Sequence, residues 1–168
     1  MLKHQSAGVR QFMEAVSWFG DWPGHVLVGL ILMAIAYWRR SKRWVRIFAA
    51  MLLACALAGI ANRVVKISTG RARPDVQAEA RWSGPNFSAS YHSFPSGHTA
   101  ASTAFFATLA FASWRIGLGL LAIPLLIAFS RMYVGAHHVS DVVCAALLAT
   151  LVAYLVARRM ALSIGEGT

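Results

Sequence analysis

Five apolar runs, at roughly 24–38, 45–65, 97–114, 116–130 and 139–157, dominate this chain and limit what it can fold into. A helix crossing about 30 Å of hydrocarbon needs about 20 residues, with roughly 17 as a lower limit. The second, third and fifth runs meet that length. The first and fourth are short, and need flanking Trp or Arg residues to complete a span. Apolar residues make up 58% of the chain and charged ones 13%, against about 45–50% and about 25% in soluble domains. Mean hydropathy is +0.56. These features predict an all-α integral membrane helical bundle of about five transmembrane helices. With 168 residues there is room for one domain, taken as 1–168.

Ahead of the first run, Val9, Phe12, Met13, Val16 and Phe19 recur at helical spacing, with Arg10, Gln11 and Glu14 on other faces. The segment 1–22 therefore reads as an amphipathic helix lying at the membrane interface. Pro23-Gly24 is expected to break it from the next helix. Residues 1–20 lack the continuous apolar stretch of a cleavable signal peptide. Cys55 and Cys144 sit inside apolar runs and read as small buried hydrophobes rather than a disulfide.

The formal charge of +10 does not mark a nucleic-acid binder, because the cations cluster between apolar runs instead of lining one polar face. The segment 39–46 holds Arg39, Arg40, Lys42, Arg43 and Arg46 without an acid, so it belongs on the cytoplasmic side. Alternation then puts Arg115 and Arg158-Arg159 inside, and residues 66–96 and 131–138 outside with the N-terminus. Glu14, Asp21, Asp75, Glu79 and Asp141 fall outside or at the outer boundary. Trp18, Trp22, Trp38, Trp44 and Trp114 fall near interfaces, as an aromatic belt requires. Ala50, Ala54 and Ala58, and the small residues Ala100, Ala101, Ser102 and Ala104, predict close helix contacts. Pro124 is expected to kink the fourth run. The loop at about 70–94 is long enough to be functional or disordered.

Three polar segments end these runs on the same predicted side: Lys66-x6-Arg73-Pro74, Pro95-Ser96-Gly97-His98, and Ser130-Arg131-x5-His137-x3-Asp141. Pro95 suits a first helical turn, and the N–H groups of Ser96, Gly97 and His98 at a helix start make a seat for phosphate oxygens. Lys66 and Arg73 supply charge, while Arg63 and Arg71 read as membrane-flanking cations. Arg131, hemmed by an apolar run and by Tyr133 and Val134, is placed to meet an anion. Asp141 is within helical reach of both His137 and His138, and could fix the tautomer of either so that its other nitrogen attacks. Histidines with a carboxylate could also hold a metal, but the surrounding cations suit an anion better.

Together these segments, KISTGRARP, PSGH and SRMYVGAHHVSD, resemble the type 2 phosphatidic acid phosphatase family of lipid phosphatases and related vanadium haloperoxidases. The motif-bearing, catalytic region is 66–141. The resemblance implies that His137 attacks phosphorus to give a phosphohistidine, supported by Asp141. It implies that His98 protonates the leaving oxygen and then activates water. Lys66, Arg73 and Arg131 would neutralise the phosphoryl oxygens with Ser96 and Gly97, and no metal or other cofactor is implied. Membrane members of the family usually have six spans, one more than the runs counted here. The expected activity is that of an enzyme, a phosphatase acting at the outer face of the cytoplasmic membrane on a lipid phosphate or diphosphate. Undecaprenyl diphosphate, phosphatidylglycerophosphate, phosphatidic acid and lipid A are the candidates; the short chain and outward site lean toward the first. The partners are membrane lipids, and the oligomeric state is not readable. The alternatives are a vanadate-dependent haloperoxidase-like enzyme and a non-catalytic lipid-phosphate binder or transporter.

Overall fold

The computed structural model describes residues 6–77 and 80–160; Glu79, one acid of the topology argument, lies outside them. The order is α1 (Ala7–Phe19), α2 (Trp22–Trp38), α3 (Lys42–Thr69), a short 3-10 turn (Ala89–Tyr91), α4 (Gly97–Ala112), α5 (Trp114–Leu120), α6 (Ala122–Tyr133) and α7 (Val139–Arg159). The all-α membrane bundle is therefore found. Its outer surface is bare hydrocarbon, with Leu27, Ile31, Leu57, Ile60, Leu125, Leu147 and Leu151 exposed. An apolar exterior of this extent suits lipid, not water.

Small residues decide the packing. Helix α4 stands at the centre, with Ala100, Ala101, Ala104, Ala107 and Ala112 buried along it. On α3 the face Ile47, Ala50, Met51, Ala54, Ala58 meets it, and on α7 the ladder Ala145, Ala149, Ala153 does the same from the other side. Small side chains at every turn bring backbones close, and van der Waals packing then replaces the missing hydrophobic drive. Gly117 belongs to this pattern: a Cβ there would lie 2.1 Å from the Cα of Ala110.

The helix ends differ from the sequence expectation in three places. The third run makes only 16 helical residues, Gly97–Ala112, about 24 Å at 1.5 Å per residue. It does not reach spanning length; being wrapped by other helices, it need not. Three helical stretches of the described residues are long and apolar enough to cross a membrane: Lys42–Thr69, Trp114–Tyr133 and Val139–Arg159. The pair α1 and α2, bent by 58°, could count as a fourth, so length and composition alone do not reach five. The break between these two lies at Gly20-Asp21, not at Pro23-Gly24: Asp21 caps α2 and Pro23 sits in its first turn, where a missing N–H costs nothing. Likewise the fourth run is interrupted at Leu121, between α5 and α6. Pro124 lacks the N–H that would bond the Leu120 carbonyl four residues back, so the interruption at Leu121 falls where the expected disturbance by this proline belongs.

The loop after α3 is folded over one end of the bundle. Gly70 ends α3 in the left-handed region (φ 55°), its N–H donating to the carbonyl of Lys66. Main-chain bonds then run from Ala72 N–H to Arg81 O (2.9 Å), Arg73 N–H to Ser90 O (3.0 Å) and Ser93 N–H to Arg71 O (3.0 Å). At its far end Ser96 donates its N–H to the carbonyl of Asp141 at 3.0 Å, tying the entry of α4 to the first turn of α7.

Candidate active site

Four helix ends and this loop enclose the polar residues. Lys66 comes from the last turn of α3, Gly97 and His98 from the start of α4, Arg131 from the last turn of α6, and Asp141 from the first turn of α7. His137 lies in the short connection between α6 and α7. A cavity of about 720 Å³ opens beside Lys66, Gly97 and His98 and continues down an apolar wall that includes Cys55, Gly59 and Ile60. The Nζ of Lys66 would be 3.8 Å from a Cβ at Gly97, an ordinary contact that places the ammonium beside the start of α4. Lys66, Arg131 and His137 all lie near enough to His98 to act on its charge, and Arg73 acts on both Lys66 and Arg131. Among these, Arg73 also holds the loop, donating from Nε to the carbonyl of Ala89 at 3.2 Å.

Two expectations at the start of α4 need adjustment. Pro95 precedes the cap rather than entering the first turn, and Ser96 is the N-cap itself. Its Oγ is fully buried and accepts from the Thr99 hydroxyl at 3.0 Å, while its N–H is taken by Asp141. The anion seat is thereby reduced to Gly97 and His98, whose N–H groups are first-turn donors without intrahelical partners. Ser96 shapes that seat by holding the helix start.

The structure also separates the two neighbouring imidazoles. His138 is the N-cap of α7, and its backbone N–H donates to Asp141 Oδ2 at 2.8 Å. The ring of His137 instead faces the carboxylate, with Nδ1 3.6 Å from the same oxygen. That is too long for a hydrogen bond, and Nδ1 is buried without another partner. Burial pushes the His137 imidazole below its usual value, and the charges of Arg131 and Lys66 push it further; Asp141 opposes both. The ring is therefore neutral at pH 7, the state in which a nitrogen can attack.

Several residues of the site carried no signal in the sequence. Arg71, read above as a membrane-flanking cation, is instead paired with Asp141 Oδ1 at 2.5 Å and with Ser140 Oγ at 2.6 Å. Ser93 donates its hydroxyl to Asp141 Oδ2 at 2.6 Å. From α1, Ser17 accepts a hydrogen bond from Arg131 Nη1, and Asp21 lies at the cavity mouth.

Fold and site together define a multi-pass α-helical membrane protein with a cluster of cations and two histidines where its helices end. The chain belongs to the PAP2 superfamily, whose family model matches residues 47–164. It is 29% identical over 153 residues to a lipid A 1-phosphatase of Rhizobium etli, covering 82% of this chain and 65% of the relative. Against a lipid A 1-phosphatase of Rhizobium johnstonii it is 30% identical over 156 residues, covering 82% and 62%. The chain thus spans a little under two thirds of the length of these relatives. Its fold is similar to that of a PAP2-type phosphatidylglycerolphosphate phosphatase from Bacillus subtilis (TM-score 0.73, 22% identity, covering 92% of this chain and 78% of the other). It is also similar to Aquifex aeolicus LpxE (TM-score 0.62, 22% identity, covering 92% and 88%).

Proposed function

We propose that this protein is a lipid phosphatase of the cytoplasmic membrane, with its site facing the periplasm or cell exterior. The observation that carries the reading is that Lys66 and His98 line one cavity with an apolar wall, while Arg131 and His137 stand close enough to His98 to act on its charge. A phosphoryl group seated on the first-turn N–H groups of Gly97 and His98 would meet Lys66, Arg73 and Arg131, matching the charge on its three equatorial oxygens. His137 would attack through Nε2, forming the P–N bond as the P–O bond to the lipid breaks. Burial and Arg131 lower His98 to about 4, so the proton it gives to the departing oxygen is one taken up with the phosphoryl group, whose negative charge offsets Arg131. Water deprotonated by His98 would then cleave the phosphohistidine and release phosphate. Each half of the reaction uses the protons left by the other, and charge stabilisation by fixed cations supplies most of the catalysis.

The apolar wall below the pocket suits a substrate whose tail stays in the bilayer. The names of the two Rhizobium relatives favour lipid A phosphate as substrate over the polyprenyl diphosphate to which the short chain leaned. The deciding experiment measures phosphate release by the purified chain from lipid A, phosphatidylglycerophosphate, phosphatidic acid and undecaprenyl diphosphate, with and without chelator. Release from none of them would sink the phosphatase reading. Loss of activity on chelation would replace the metal-free mechanism.

A further inference from the structure

We propose that Arg71 is a positioning residue of the site, acting through Asp141 to set the charge that His137 faces. The inference rests on the reading of His137 as nucleophile, and its test is separable from that reading. An ionised carboxylate offers about four acceptor sites. Asp141 has one filled by the Arg71 guanidinium (2.5 Å), one by the Ser93 hydroxyl (2.6 Å) and one by the His138 N–H (2.8 Å). His137 Nδ1 stands off at 3.6 Å with no partner. The acid that would support the nucleophile is therefore committed first to a cation from the loop, and only secondarily to the imidazole.

Arg71 is built to hold that place. Its side chain is 12% exposed, its guanidinium lies 4.9 Å over the Trp82 ring, and its carbonyl takes the N–H of Ser93. One residue thus fixes both the loop and the two side-chain donors that clamp Asp141. The electrostatic consequence has a definite sign. An imidazolium at His137 is favoured by Asp141 of α7 and opposed by Arg131 of α6 and Lys66 of α3, with His98 of α4 also in range. Arg71, paired with Asp141 at 2.5 Å, opposes that one favourable term. Without it the uncompensated carboxylate holds a proton on the His137–Asp141 pair up to a higher pH, and the nucleophile is lost there.

The test uses the full chain in detergent, with dioctanoyl phosphatidic acid as a soluble probe. In Arg71→Gln, kcat falls about tenfold with KM little changed, and the acid limb of kcat/KM moves up by about one pH unit. Arg71→Met serves equally where Arg71→Gln does not insert. Arg71→Lys keeps the charge, so its acid limb stays at the wild-type position even though the guanidinium fork is lost. Titration of carbon-13-labelled histidine by NMR reports the same upward move at His137 whether or not the variant turns over. A role confined to folding would lower activity equally at every pH; coincident acid limbs and an unmoved His137 titration would overturn the proposal. Should His137→Ala keep its activity, the nucleophile reading fails, while the NMR titration still decides the link from Arg71 to His137.

Discussion

At the scale of single residues, the pocket makes sense of charges that hydrocarbon would otherwise reject. His137 is neutral because burial outweighs Asp141, and this gives a pH dependence with a clear sign. Its folded-state value lies below the usual 6.5, so the limb of kcat/KM set by His137 falls on acidification with a midpoint below 6.5, while the opposite limb falls as pH rises and His98 loses the proton it must donate. A pH profile with its acid midpoint above 6.5 would contradict the neutral resting state. Replacing His137 by Ala removes the attacking nitrogen and is expected to lower kcat by on the order of 10³ or more, without loss of membrane insertion. Arg131→Ala removes charge from ground and transition states alike; kcat/KM drops by about 10² to 10³ while KM rises. Steady-state kinetics on the two purified variants separates these signatures. The positions of these residues were readable from motif spacing. Arg71, Ser93 and Ser17 were not, because each acts by meeting a partner more than 45 positions away, and nothing local in the sequence marks such a meeting.

Elements place those residues, and here glycine has a specific part. Gly70 turns the chain out of α3 with φ 55°, and a Cβ there would lie 2.0 Å from the carbonyl oxygen of Gly84. Gly70→Ala therefore has both a backbone and a steric penalty, and the strain falls on the loop that carries Arg71, Arg73 and Ser93. The expected result is a loss of kcat of tenfold or more (on the order of the cost of misplacing catalytic groups) with the helical circular-dichroism signal intact. Unchanged kcat would mean the loop adjusts without moving the site. Periodicity located the helices well because apolar runs and helices share their lengths. It misplaced the break at Pro23 for a physical reason. Proline is penalised inside a helix but accepted in a first turn, so it marks either an end or a beginning, and the sequence does not say which. The short span of α4 was missed for another reason: Trp114 and the apolar residues after it continue the run past Ala112, and the single polar Ser113 that ends the helix interrupts it too briefly to show.

The whole molecule is organised by polarity along its long axis. Cations Arg39, Arg40, Lys42, Arg43 and Arg46 gather at the α2–α3 turn, while the candidate site occupies the ends of α3, α4, α6 and α7 at which Lys66, His98, Arg131 and Asp141 sit. Because α3 runs continuously from Lys42 to Thr69, about 42 Å of helix separates the two poles. That exceeds the hydrocarbon thickness of about 30 Å, so the two poles belong on opposite sides of the membrane. The positive-inside tendency supports the proposed orientation, with the arginine-rich turn in the cytoplasm and the candidate site outside. Single cysteines at exposed positions on the two poles, Arg43→Cys and Asp75→Cys, test this in a background where Cys55 and Cys144 are replaced by Ala. A membrane-impermeant maleimide added to spheroplasts should label the cysteine at 75 directly and the one at 43 only after permeabilisation. Labelling of both without permeabilisation, or the reverse order, would defeat the outward-facing site. The motifs alone carry no such argument, since their spacing is indifferent to which face of the bilayer they occupy. The proposed orientation rests instead on an unbroken helix joining a cation-rich turn to a lysine of the pocket.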